Sequence, residues 1–209
     1  GYTCIAMHPY YETGWSRNLV YPHIGFDEMH FIDYFDQTKI LREYITDQEL
    51  YDKIIKRYEN RKNNEKLFFM GITMQNHGGY TETYDNFPEN YYKVGRSYTD
   101  ANQYLSLVHE SDEAVKNLIS YFSKVDDPVE IIFFGDHQPS LNSNFYPILN
   151  GKGLTGLTED ELEKLYTVPF FIWTNYDTPE ETVDITSLDY LSTMALERAG
   201  IELPAYNKF

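Results

Sequence analysis

The chain has 209 residues, 42% of them hydrophobic and 24% charged, enough apolar material for one sizeable core and too much for a disordered segment. A formal charge of −16 offers no basic face to neutralise phosphates and argues against a nucleic-acid partner. The single cysteine, Cys4, excludes an intrachain disulfide and leaves the redox compartment open, and no apolar run reaches the roughly 20 residues that cross a bilayer.

In chain order, "YTCIAM" (Tyr2 to Met7) reads as a short apolar strand that starts at the first residues with no cap or leader, so the chain is expected to be a fragment of a larger domain. Any membrane attachment is then expected outside it. From Thr46 a Thr-x-x-Glu capping box opens a helix with Leu50, Ile54, Ile55 and Tyr58 on one face. "KLFFMGITMQ" (Lys66 to Gln75) is a nearly continuous apolar run, as in strands buried on both faces. A tyrosine-rich polar loop from His77 to about Gly95 leads into a long amphipathic helix from about Tyr98 to Phe122, with Ala101, Leu105, Val108, Ala114, Leu118 and Tyr121 as its apolar face. Then "VEIIFF" forms a strand, Thr158-x-x-Glu161 caps a short helix, "VPFFIW" (Val168 to Trp173) forms another strand, and Thr186-x-x-Asp189 caps a last helix ending at Gly200. Strands alternating with helices imply parallel crossovers: an α/β fold with a mainly parallel central sheet sandwiched by helices. No internal repeat or linker interrupts residues 1–209, which read as one domain.

Ligands of open parallel sheets bind beyond the carboxyl ends of the strands. Three predicted strands run into histidine there: the first into His8, the second into His77, and "IIFFG" into Asp136-His137. Successive side chains on a strand point to opposite faces, so Asp136 and His137 converge only if the chain leaves the strand, which Gly135 and Pro139 allow. A carboxylate with an imidazole suits Mn²⁺, Zn²⁺ or Fe²⁺. The plainer alternative is that Asp136 caps a turn and His137 is a bystander. Trp15 and Arg17, two apart, would face the same way in an extended loop, as an apolar wall and a fork for an anion; as isolated residues they read instead as a packed tryptophan and a surface arginine. His23, His30 and His109 have no such placement, and tyrosines most often pack with the hydroxyl in water.

Taken together, "MHPYYETGWSRN", "TMQNHGGY" and "FFGDHQPSL", in that order and at these separations, resemble the extracellular catalytic domain of the lipoteichoic acid synthase-like (phosphoglycerol transferase) branch of the sulfatase and alkaline phosphatase superfamily. The resemblance covers nearly the whole chain, including "VPFFIWTNY" and the closing helix, and marks it as the C-terminal portion of that domain. It implies that Asp136 and His137 bind a divalent metal, Mn²⁺ in the synthases, with Zn²⁺ or Mg²⁺ as alternatives. It implies that His77 and Arg17 contact the transferred phosphate, and that His8, Trp15 and Tyr10 line the pocket for glycerol. In that branch a threonine attacks phosphatidylglycerol, and the resulting glycerophospho-threonine is passed to a glycan or glycerolphosphate polymer at the outer face of the bacterial membrane. The threonine and a further acidic ligand would lie upstream of "YTCIAM", so the chain alone is expected to be inactive. Tyr10 stands where the synthases usually carry an acid or amide, which leaves the substrate open. Two other readings compete. Sulfate-ester or phosphodiester hydrolysis on the same fold would, for a sulfatase, need a Cys/Ser-x-Pro-x-Arg motif, which residues 1–209 lack. A non-catalytic envelope-binding domain is the third.

Overall fold

The structure is a computed structural model and describes residues 1–87 and 98–208. It divides into two compact units, Gly1–Leu118 with Pro139–Leu157, and Ile119–Gln138 with Thr158–Phe209.

The first unit is built on a parallel three-stranded sheet with β1 (Thr3–Met7) between β2 (Glu28–His30) and β5 (Leu67–Gly71). Ile5, Ala6 and Met7 of the central strand are buried, as its position requires. Helix α1 (Arg17–Ile24) links β1 to β2, a two-stranded hairpin of β3 (Ile40–Leu41) and β4 (Tyr44–Ile45) follows, and α2 (Asp47–Glu59) returns to β5. α2 lays Leu50, Tyr51 and Ile54 into the core, and Gly71 of β5 leaves just enough room, since a Cβ there would stand 3.2 Å from the Ile54 Cδ1. At the opposite end of the sheet Arg57 bridges Glu28 (2.7 Å) and Glu65 (2.8 Å), tying α2 to β2 and to the start of β5. The long helix α3 is Thr99–Phe122, and a short α4 covers Tyr146–Asn150.

Several expectations shift. The second predicted strand stops at Gly71, and Phe68 is 50% exposed, so the described residues cover only one of its faces. β2 was not legible at all: three residues are too few for a period-two pattern. On α3 the buried set is Ala101, Leu107, Ala114, Val115, Leu118 and Phe122, while the expected Val108 is exposed. The stripe is turned because this helix also buries Asn102, Gln103, Ser106 and Ser111. Of the predicted tyrosine-rich loop, Tyr80 and Phe87 form a core cluster with Leu107, and the part beyond Phe87 lies outside the described residues.

The second unit contains β6 (Glu130–Phe134), α5 (Glu159–Lys164), β7 (Phe170–Thr174) and α6 (Leu188–Arg198). Here the expected parallel crossover gives way to an antiparallel pair, β6 against β7, with Phe133 and Phe171 stacked at 5.4 Å. Alternation of strands and helices sets the order of elements but not the direction in which a returning strand pairs. Asn175 fastens the pair to the end of α3: its amide donates to the carbonyls of Phe122, Val125 and Asp127 and accepts from the Val129 N–H. The Thr158 capping box is complete, whereas the last helix is capped by Ser187, one residue later than expected.

Candidate functional site

β1 delivers His8 to the carboxyl edge of the sheet, 2% exposed. Its Nδ1 lies 2.8 Å from the Ile72 carbonyl, which can only accept, so the proton sits on Nδ1 and Nε2 is a bare acceptor. Nε2 is buried with no hydrogen-bond partner among the described residues, and burial lowers the pKa to about 4, keeping the ring neutral. Around it stand the rings of Tyr10 (5.9 Å) and Trp15 (6.3 Å). The loop is not extended, as the two-residue spacing of Trp15 and Arg17 suggested. Trp15 (φ 52°) and Ser16 (φ 55°) are both left-handed, and Trp15 is thereby turned outward, 64% exposed. Arg17 opens α1 and folds back so that its guanidinium lies 4.4 Å over the indole, steadied by Nε donation to the Tyr21 hydroxyl and by the Gly14 carbonyl. Gly14 packs closely there: a Cβ would stand 3.3 Å from the Tyr10 ring.

His77 lies six residues beyond the end of β5, in a turn closed by its own N–H on the Met74 carbonyl. Tyr44 joins it to the rest, with its ring 5.7 Å from the imidazole and 6.4 Å from Tyr10. The Tyr44 hydroxyl and the Gly78 carbonyl both lie near His77 Nδ1, at 3.4 and 3.0 Å. The structure therefore gathers His8, Tyr10, Trp15, Arg17 and His77 at one edge of one unit and adds Tyr44, which the sequence reading missed. Beneath His77 a buried polar layer supports the turn. Ser111 donates to Asp47 (2.5 Å) and accepts from Gln75 and Asn76, while Gln75 also accepts from the Asp47 N–H. Burial raises Asp47 to about 6. His30, at the end of β2, is engaged elsewhere: its ring stacks on Tyr34 and its Nε2 meets Glu28.

In the second unit Asp136 and His137 follow β6 as expected, and Gly135 fits where a Cβ would press Val168 at 3.1 Å. Both side chains are exposed, with Asp136 Oδ2 3.5 Å from His137 Nε2. The Gln138 carbonyl, 3.0 Å from His137 Nδ1, holds a proton there and leaves the Nε2 lone pair free. Gln138 in turn donates to the Thr167 carbonyl. An oxygen and a nitrogen donor this close, neither of them buried, fit two adjacent ligands of a divalent ion, for which metal–ligand distances of about 2.0–2.2 Å are typical. Among the described residues no group of three or more His, Cys, Asp or Glu is arranged to hold a metal. Asp136 also forms part of the wall of a groove of about 580 Å³ with Tyr166, Val168, Ile185 and Leu188.

An α/β unit that collects an arginine, two histidines and an aromatic wall at its strand ends, in a chain whose β6 is followed by a carboxylate–imidazole pair, has side chains chemically suited to an oxyanion and a divalent ion. The chain belongs to the Sulfatase family, whose model matches residues 1–201. Over its whole length it is 28% identical to a Rhizobium meliloti protein assigned to cyclic β-1,2-glucan modification, covering 33% of that protein. Over 66% of the chain it is 30% identical to the lipoteichoic acid synthase of Staphylococcus saprophyticus, covering 21% of it. Among solved structures it is similar to the Streptococcus pyogenes phosphoglycerol transferase GacH in complex with sn-glycerol-1-phosphate (TM-score 0.77, 21% identity, 99% of this chain and 52% of that one). It is also similar to the lipoteichoic acid synthase LtaP of Listeria monocytogenes (TM-score 0.65, 22% identity, 82% and 43%). The two structures establish the fold, that of the alkaline phosphatase and sulfatase group. The chain spans a third or less of these curated relatives and about half of these structures.

Proposed function

We propose that the protein carrying this chain is a metal-dependent phosphoglycerol transferase that moves a glycerophospho group from a phosphatidylglycerol-type donor to a cell-envelope glycan. The observation that carries the reading is the first unit's edge, where Arg17 and His77 offer anion donors beside an aromatic wall and the neutral His8. Arg17, held by Tyr21 and the indole, presents its free edge to a phosphate with little reorganisation. His77 donates from Nε2 when protonated. Trp15 and Tyr10 pack the glycerol carbons, and the bare Nε2 of His8 accepts a hydroxyl. Asp136 and His137 hold a divalent metal, Mn²⁺ by resemblance, with further ligands and the threonine nucleophile supplied from outside these 209 residues. A bound divalent ion lowers the pKa of a coordinated hydroxyl and neutralises developing negative charge. On this reading the work is done at the outer face of the membrane and the chain alone is inactive. Among the described residues no helix is long and apolar enough to cross a bilayer.

A glycan acceptor is preferred because the relative aligned along the whole chain is assigned to a glucan; the Staphylococcus relative favours a glycerolphosphate polymer as the second reading. The test is turnover by the full-length protein of a phosphatidylglycerol carrying a labelled headgroup, with Mn²⁺ and either acceptor. Arg17→Ala is expected to lower kcat by about 100-fold, the usual cost of losing one donor to a developing oxyanion. Asp136→Ala is expected to abolish metal dependence. Unchanged turnover in both variants would refute the assignment, and release of free glycerol phosphate without transfer would make the protein a hydrolase.

A further inference from the structure

Arg42 is 5% exposed and lies at the turn between β3 and β4 with φ 56°, a left-handed conformation that residues other than glycine rarely adopt. Three of the four acceptors of its guanidinium lie in one short segment. One terminal nitrogen donates to the carbonyls of Gln75 (3.1 Å) and His77 (2.6 Å), the other to the carbonyl of Gly79 (3.0 Å) and to Gln103 Oε1 (2.9 Å). Gln103 is itself buried and anchored through its amide to the Glu82 carbonyl. The segment is closed by two more contacts: the Tyr80 hydroxyl donates to the Asn76 carbonyl, and His77 Nδ1 meets the Gly78 carbonyl. Every carbonyl from residue 75 to residue 79 therefore has a partner, three of them Arg42. The rings of Tyr44, Tyr80 and Tyr84 stand 5.4 to 5.9 Å from its carbon centre, and among the described residues no carboxylate forms an ion pair with it.

A buried cation placed at a strained turn and aimed at backbone on both sides of one exposed imidazole has a narrower use than general packing. We propose that Arg42 is a positioning residue for His77: it fixes the backbone of residues 75–79 so that the imidazole is presented to the anion in one orientation, and it adds a fixed positive charge beneath that anion. The role rests on the phosphoryl-transfer reading of the same edge. A lysine could not substitute, because its three donors on a single nitrogen cannot span three carbonyls and an amide oxygen that a planar fork reaches together.

The test uses the full-length protein with Arg42→Lys, Arg42→Met, His77→Ala and the Arg42→Lys/His77→Ala double variant. Hydrogen exchange of the 75–79 amides, read by mass spectrometry, needs no substrate; Arg42→Lys is expected to speed it at least tenfold with the β1 and α2 amides unchanged. Turnover of the labelled phosphatidylglycerol is expected to fall 10- to 100-fold in kcat for Arg42→Lys, with KM within threefold, and the same change is expected to cost less than twofold once His77 is already alanine. Undisturbed exchange in both Arg42 variants, or a loss in the His77→Ala background equal to that in the parent, would overturn the proposal. Faster exchange together with full turnover by His77→Ala would leave the positioning intact and instead sink the phosphoryl-transfer reading.

Discussion

His8 shows how much one residue's environment decides. In the sequence it is one of three histidines expected at strand ends; in the fold its protonation is fixed by a single carbonyl and by burial. Its folded pKa of about 4 lies below the ordinary 6.5, so its contribution to stability is present above pH 6.5 and is lost as the pH falls toward 4. The expected nuclear magnetic resonance titration is an imidazole that remains the neutral Nδ1–H tautomer at pH 5. A midpoint near 6.5 would show that the ring is open to water and would remove the argument that it accepts a hydroxyl. Asp136 and His137 are the opposite case. They are 85% and 75% exposed at the side chain, and what gives them meaning is their mutual distance.

Elements place these residues through a few contacts with identifiable cost. Thr46 caps α2 by accepting from the Glu49 N–H, but the return bond of a capping box is missing because the Glu49 carboxylate is taken by the Asp36 N–H and Lys53. Thr46→Ala is expected to cost about 1 kcal/mol, measured by chemical denaturation. Leu50→Ala, at a fully buried site on the same helix, is expected to cost about 3 kcal/mol. On β6 the sensitive point is Gly135, whose N–H bonds the Pro169 carbonyl while its missing Cβ makes room for Val168. Gly135→Ala is expected to press against Val168 and shift Asp136. The expected outcome in the full-length protein is at least tenfold weaker Mn²⁺ binding with a small change in melting temperature; unaltered binding would mean that the turn absorbs the methyl group.

For the molecule as a whole, the first unit contains two buried groups whose acid responses oppose each other. Asp47 has its folded pKa raised from 3.8 to about 6, so its contribution is fully present below pH 3.8 and is lost as the pH rises through 6. His8 does the reverse between 6.5 and about 4. Together the two shifts largely cancel across pH 4–6. Asp47→Asn removes one of them and is expected to make the melting temperature of this unit fall more steeply on acidification from pH 6.5 to 4 than in the parent chain. Parallel profiles would show that Asp47 does not titrate in that window. The charge of −16 acts at the same scale, favouring solubility over any polyanionic partner.

The sequence by itself determined much of the chemistry that is available: which long apolar runs become strands, that Thr46 caps α2, and that His8 and the Asp136–His137 pair follow strands. These are local or near-local facts, carried by periodicity, capping and spacing. What only the tertiary structure decided is which groups meet across long stretches of chain. Arg42 reaches residues more than thirty positions away, Asp47 meets Ser111 sixty-four positions on, and β7 pairs antiparallel with β6. Nothing in "TKILREYIT" distinguishes Arg42 from a surface arginine, because its role is defined by carbonyls that carry no side-chain signature. The direction of β7 is equally silent in sequence, since an apolar strand reads the same whichever way its neighbour runs.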